Sequence, residues 1–471
     1  MIRRLHGIVW GPVLLTLLLA VGIIYTLRSG GFQMFGIKVW WKATAGSLFR
    51  EERGKKEDKK GRVTKSQAAC TALAATIGTG NIVGVATALT AGGPGAIFWM
   101  WVSAFIGMAT AYGETWLGVK HRYRNRQGAW VCGPTVYISR GLHMPGLGLL
   151  YGGLCLMTSF GMGSMVQSNA VAQTIEFSTG IPPMICAVII TVATCCVVVG
   201  GISRIAQVTE RLIPWAAGIY MGFSFLILGL CYRQIPEAFK EIFQCALIPE
   251  AMFGGIGGYG LSTGFRYGIA RGVFSNEAGL GSLAGLHGAT EDTTPQEQGM
   301  WAMFEVFFDT IVICTLTALV ILCVTRGKLS GQYGDGAVLT ARCFGAVFGK
   351  LGEYLVSASM IIFAFATMIA WFFLGQQTLE AVMEQIGRRI FLSETTRKGI
   401  RLGYLILYGY AVFLGCVSNL TAVWELSDIW NGMMAFPNIF ALILLRKQVT
   451  YPNRKSLGKN NFNEMGKREE S

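Results

Sequence analysis

Eleven apolar runs, each about as long as a bilayer is thick, divide this sequence. A helix needs about 20 predominantly apolar residues to cross, and runs of that kind lie near 8–28, 66–91, 96–118, 147–175, 183–200, 207–231, 265–287, 300–322, 354–384, 403–419 and 424–446. Of 471 residues, 52% are hydrophobic and only 14% charged, against about 25% charged in soluble domains. Such a chain reads as a polytopic, all-α membrane protein. The runs at 147–175 and 354–384 are long and imply tilt or extension beyond the bilayer. The first run follows Arg3 and Arg4 and has the look of a secretory leader, but it is too long and lacks a small-residue cleavage site. It is read as a retained transmembrane helix.

The net charge of +14 raises the question of nucleic acid. The basic residues sit in short loops beside apolar runs and no nucleic-acid fold is recognisable, so the charge is assigned to the membrane face. Lys38, Lys42, Arg50, Arg53, Lys55, Lys56, Lys59, Lys60, Arg62 and Lys65 crowd the loop after the first run, which places that loop in the cytoplasm. Alternation then puts inside the loops at 119–145 and 385–402, the acidic stretch 288–299 and the C-terminal tail. Arg3 and Arg4 fall outside and are outvoted. The protein is expected in the plasma (inner) membrane with its C-terminus cytoplasmic. The twelve cysteines are scattered, mostly in apolar runs and with no CxxC pair, so neither a disulfide framework nor a zinc site is indicated.

With the first run set aside, ten remain, five on each side of the polar stretch 232–264. A half with an odd number of spans forces the second half to enter the membrane upside down, as an inverted repeat requires. The expected organisation is an N-terminal helix and basic loop over 1–65, a first repeat over 66–231, an extracytoplasmic connection over 232–264, a second repeat over 265–446 and a tail over 447–471.

The first span of each half is interrupted. One holds IGTGNIVG at 77–84 and the other FSNEAGLGS at 274–282, small and polar residues where a span should be most apolar. Glycine costs a helix about 1 kcal/mol relative to alanine, and the N–H and C=O groups freed by a break at mid-membrane survive only against protein or a water-filled cavity. Paired interruptions at matching positions point to a transporter's binding site. There, freed N–H groups suit a carboxylate and freed carbonyls suit a cation. The alternatives are weaker. GTGNIVG has its third glycine one place late for a dinucleotide fingerprint and lacks a βαβ setting. Close helix packing explains glycines, but does not require Asn81, Asn276 and Glu277 at depth.

Other polar residues within the runs are Glu114, Gln167, Asn169, Arg271, Glu305, Asp309, Thr367 and Trp371. Each buried charge needs a partner or a function. Arg271 and Glu277, on either side of the second break, read as a structural pair, with a binding role equally open to Glu277. Glu114, Glu305 and Asp309 read as lining helix contacts or a cytoplasmic route, and Gln167, in GMGSMVQSN, as a cavity residue.

These motifs resemble the alanine or glycine:cation symporter family over roughly 60–445. The matching stretches are IGTGNIVGVA (77–86), AGGPGAIFWMW (91–101), GGISRIAQVTERLIP (200–214), ARGVFSNEAGLGS (270–282), FFDTIVICTLTALVI (307–321) and FAFATMIAW (363–371). The resemblance implies a LeuT-type 5+5 inverted repeat with one extra N-terminal helix, and Na⁺-driven uptake of small neutral amino acids, with H⁺ as an alternative coupling ion. Carried over by position, Thr79 and Gly80 are implied as backbone donors to the substrate carboxylate and Asn81 as a polar group at the substrate or cation site. Phe274, Ser275 and Asn276 are implied to line the second break, with Gln167 and Trp371 closing the pocket. A sodium ion is implied between the carbonyls of Ala74 and Ile77 and, on the long span, Ala364 and Thr367. No catalytic residue and no cofactor other than the coupling ion is expected.

Two positions depart from the family pattern: Ala366 replaces the usual serine beside the implied sodium, and Ala111 stands where a lysine is common. An embedded enzyme is the rival reading, but it has only four histidines, no HExxH and no convincing nucleophile elbow to build on. A channel would not need two breaks at matching positions.

Overall fold

The computed structural model describes residues 2–47, 65–125, 128–247, 256–327, 336–387 and 391–452. The basic stretch 50–62, Arg126, Arg388, Arg389, the connection 248–255 and the tail 453–471 lie outside the described residues.

Each of the eleven expected spans is helical. The first run forms α1 (Ile2–Val9) and α2 (Pro12–Arg28), with Pro12 at the first helical position, where no N–H is needed. The next five spans are a broken one made of α3 (Lys65–Thr76) and α4 (Val83–Gly92), then α5 (Gly95–His121), a span of α6 (Pro145–Phe160) and α7 (Val166–Thr179), then α8 (Pro183–Val198) and α9 (Gly201–Leu230). A π-helical segment, Gly161–Met165, joins α6 to α7. After the amphipathic α10 (Ile235–Leu247) comes the second broken span, α11 (Ile256–Asn276) and α12 (Ser282–His287). It is followed by α13 (Pro295–Val306) and α14 (Thr315–Thr325), continuous through a second π-segment, Phe307–Cys314. The chain ends with α15 (Gly336–Phe348), α16 (Lys350–Gly387), α17 (Glu394–Val417) and α18 (Leu420–Leu445).

Among the described residues, eight helices are long and apolar enough to cross a membrane, or nine with the bent pair at 69–92 counted as one. The other two expected spans escape that measure for physical reasons: α8 has 16 residues, and the span at 265–287 is cut in two by its break. Helix α15, 13 residues long, was not expected; it is too short to register as a span.

The loops expected inside gather at one end of the bundle. Arg124 pairs with Glu291 at 2.8 Å, His121 Nε2 lies 2.8 Å from Gln448 Oε1, and Ser139 donates to Gln385 at 2.8 Å. At the opposite end α10 lays Phe239 and Phe243 against Trp101. The N-terminal run packs into this core as a transmembrane helix would: Trp10 donates to the Asp428 carbonyl at 2.7 Å near one end, and Tyr25 to the Leu442 carbonyl at 3.0 Å near the other.

Candidate functional site

The first break bends its span by 49°. Helix α3 stops at Thr76, a single 3₁₀ turn covers Thr79–Asn81, and α4 resumes at Val83. Asn81 closes the turn on itself, its Oδ1 accepting from Gly78 N–H at 3.0 Å. Its amide then donates to Asp309, at 2.7 Å to the carboxylate and 3.2 Å to the backbone carbonyl. Thr79 N–H donates to Gln167 Oε1 at 3.2 Å, and Gln167 in turn donates to Met162 O in the π-segment at 3.1 Å. The Thr79 hydroxyl is buried without a hydrogen-bond partner. Gly80 sits against the second break: a Cβ there would lie 2.9 Å from Ser275 Cα, so only glycine permits this approach.

The second break spans 277–281, with φ of +58° at Glu277, +87° at Gly279 and +88° at Gly281. A left-handed glutamate is uncommon, and the turn persists because three helices hold its freed backbone. Glu114 on α5 accepts from Gly281 N–H at 3.1 Å, Tyr151 on α6 donates to Leu280 O at 3.1 Å, and Asn438 on α18 donates to Gly279 O at 2.9 Å. Asn438 also donates to Glu114 at 3.1 Å, and Tyr137 donates to Asn438 Oδ1. Protein thus satisfies the second break, as the absence of water in a bilayer demands.

Helix α16 ties the two breaks together. Thr367 Oγ1 lies 2.8 Å from Ala74 O and 3.4 Å from Ile77 O, the carbonyls that α3 leaves open where it stops. One turn on, Trp371 Nε1 donates to Glu277 Oε1 at 2.9 Å, while Glu277 Oε2 has no hydrogen-bond partner. Above this lies an aromatic and ionic layer: Phe274 stacks on Trp424 at 5.2 Å, and Arg271, beside both rings, pairs with Asp428 at 2.8 Å.

Most residues singled out in the sequence gather around the two breaks, and nearly all are fully buried; Asn169 instead donates to Gly415 O and Ser418 O at 2.8 and 2.9 Å. Ala74, Ile77 and Thr367 converge, as do Gly80 and Ser275. Thr79 is held by Gln167, and Gln167 and Trp371 are linked through the π-segment, where Gly163 packs on the Trp371 side chain. Ala364 lies on the same helix, nearly one turn before Thr367 and buried. Asn276 reaches the first break only through a relay: its amide donates to Thr310 at 3.0 Å, whose hydroxyl donates to Asp309 at 2.8 Å, and its oxygen accepts from Ala278 N–H at 3.1 Å.

One expectation is overturned. Arg271 does not pair with Glu277 but with Asp428. Six residues apart on an α-helix are about 120° apart around its axis, and the left-handed turn at Glu277 sends its side chain to Trp371 instead. Asp428, Asn438 and Tyr151 were not anticipated. The available signal was an acid and an amide inside the run 424–446, with no indication of which distant residue each would meet.

A helical membrane protein in which two broken spans meet at their breaks has the arrangement that secondary transporters use to hold substrate and ion. A sequence profile described as the sodium:alanine symporter family matches residues 1–464, and the chain belongs to that family of cation-coupled amino-acid symporters. Similar proteins include a sodium/alanine symporter, AgcS, of Methanococcus maripaludis, 37% identical over 474 residues and covering 100% of this chain and 98% of that one. An uncharacterized transporter of Haemophilus influenzae is 38% identical over 450 residues, covering 95% and 94%. Among solved structures, that of MhsT in complex with L-phenylalanine aligns with a TM-score of 0.48 and 13% identity over 83% of this chain and 99% of that chain.

Proposed function

We propose that this chain couples inward Na⁺ movement to uptake of a small neutral amino acid, alanine or glycine, by alternating access. The observation that carries the reading is the convergence of Thr367 Oγ1 with the open carbonyls of Ala74 and Ile77, at 2.8 and 3.4 Å. Hard oxygens freed by a helix break suit Na⁺, and the Ala364 carbonyl on the same face of α16 supplies a further ligand. Ala366, where the family usually has serine, leaves this site one hydroxyl poorer and so argues for a modest sodium affinity.

The substrate carboxylate is received by the N–H groups of Thr79 and Gly80, with Gln167 releasing Thr79 as it does so. Phe274 and Ser275 wall the cavity, Asn81 and Asn276 brace its backbone, and Trp371 closes it over the substrate side chain. A bulky indole there favours the smallest amino acids, a size argument worth about 1–3 kcal/mol per methylene. The Lys and Arg distribution supports a cytoplasmic C-terminus, with His121, Glu291 and Gln448 at the inner end, and a division of the core at 66–231 and 265–446. Each Na⁺ carried inward down an inside-negative potential of about 100 mV supplies about 2.3 kcal/mol to the substrate gradient.

The reading is tested by alanine and glycine uptake into proteoliposomes under an inward Na⁺ gradient. Saturable, concentrative uptake that disappears when choline replaces sodium is expected. Uptake indifferent to the replacement rejects sodium coupling.

A further inference from the structure

Below the second break, α12 ends in His287, completely buried against Gln298 and Glu305 of α13. None of the three belongs to the site described above, yet their hydrogen bonds fix where protons sit. Thr294 caps α13, and the Glu297 carboxylate folds back to accept from Thr294 N–H at 3.3 Å and from the Thr293 hydroxyl at 3.1 Å. With its one proton given to that carboxylate, Thr293 Oγ1 accepts from Gln298 Nε2 at 3.0 Å. The other atom of the amide, Oε1, therefore faces His287 Nδ1 at 2.7 Å. An amide oxygen only accepts, so Nδ1 carries a proton.

The second ring nitrogen, Nε2, lies 3.0 Å from Glu305 Oε2, both side chains fully buried. A nitrogen lone pair and a carboxylate oxygen at that distance, away from water, need a proton between them. The pair holds one proton, as imidazolium and carboxylate or as imidazole and carboxylic acid, and is neutral in either form. Glu305 Oε1 has no hydrogen-bond partner.

The titratable groups that feel the pair are acids: Asp309, one turn along the same span, and Glu277 in the break both feel Glu305. Glu114, on α5, is held by Gly281 and Asn438. Arg122 reaches the turn after His287, but donates to the carbonyls of Gly288 and Thr290 at 2.9 and 2.5 Å. Loss of the shared proton would add a negative charge to this acidic, dry cluster, and only entry of water relieves that.

We infer that His287 and Glu305 form a binding site for one proton, a second coupling ion that enters with the substrate and leaves when the cytoplasmic ends of α12 and α13 admit water. This rests on the symport reading and extends it to an ion that reading does not assign.

The test uses the full chain in proteoliposomes with trapped pyranine, a saturating inward Na⁺ gradient, and the voltage clamped by K⁺ and valinomycin. Addition of alanine is expected to acidify the lumen in fixed proportion to the alanine taken up. Glu305→Gln, which keeps a hydrogen-bond donor toward Nε2 but cannot carry the proton, is expected to reduce that proportion to zero. Uptake without acidification in the unaltered protein overturns the proton site and leaves sodium symport standing; absence of uptake overturns symport instead. An unchanged proton-to-alanine ratio in Glu305→Gln also overturns the site.

Should the variant fail to transport, ¹⁵N-histidine spectra of the unaltered protein decide. There are only four histidines, and the His287 signal is the one lost in His287→Gln. Nε2 sharing a proton is the expected result, and an unprotonated, unbonded Nε2 from pH 5 to 9 overturns the proposal.

Discussion

Thr367 and Trp371 stand one turn apart on α16 and grip different breaks, Thr367 the carbonyls of Ala74 and Ile77 at 2.8 and 3.4 Å, Trp371 the carboxylate of Glu277 at 2.9 Å. A single rigid helix thus reads the state of both interrupted spans.

Thr367→Ala removes a hydroxyl without changing the helix. The Na⁺ concentration for half-maximal alanine uptake is expected to rise about tenfold, equivalent to ~1.4 kcal/mol, while Thr367→Ser restores it. Sodium titrations of uptake in the two variants check this; equal half-saturation in Thr367→Ala and the unaltered protein removes Thr367 from the ion site.

Trp371→Phe keeps a ring and loses the N–H that Glu277 accepts, whereas Trp371→Ala loses both. The phenylalanine variant is expected to slow alanine uptake while keeping its substrate profile, and the alanine variant to admit larger amino acids. Competition of labelled alanine uptake by valine, leucine and phenylalanine measures the profile.

Asn81→Ala leaves the Asp309 carboxylate without its 2.7 Å donor and Gly78 N–H without its acceptor. Removing a hydrogen bond to a buried carboxyl group costs about 1.5–3 kcal/mol, and Thr310 still donates to Asp309, so this variant should lose transport and melt at a lower temperature. Thermal denaturation of the detergent-purified protein follows it; an unaltered melting temperature would show that Asn81 is not the brace described.

Arg271 and Asp428 are 9% and 4% exposed in their side chains, so removing Asp428 strands Arg271, whereas removing Arg271 leaves Asp428 only its 3.2 Å contact with His6. Asp428→Asn and Arg271→Gln are each expected to destabilise more than half as much as the double substitution, with a coupling of about 1–3 kcal/mol. A double-mutant cycle on melting temperature and uptake gives that number directly.

The spans and both breaks could be read from the sequence because bilayer thickness and backbone hydrogen bonding leave few choices. Residues 77–84 and 274–282 violated local rules in the same way at matching places. Partnerships across the chain could not be read so. Arg271 finds Asp428 157 residues away, and Glu114 finds Gly281 167 residues away; no local pattern encodes either distance. Helix α15 was invisible for the opposite reason, being locally regular but too short to stand out as a span.

The contacts of Trp10 with Asp428 and of Tyr25 with Leu442 join residues 418 and 417 positions apart. Trp10 Nε1 and Tyr25 Oη therefore meet these acceptors only once α18 has been made. A chain released before residue 442 would hold α2 against α5, where Gly22 faces Ile106 and Gly113 faces Tyr25, and assembly closes like a clasp when α18 arrives.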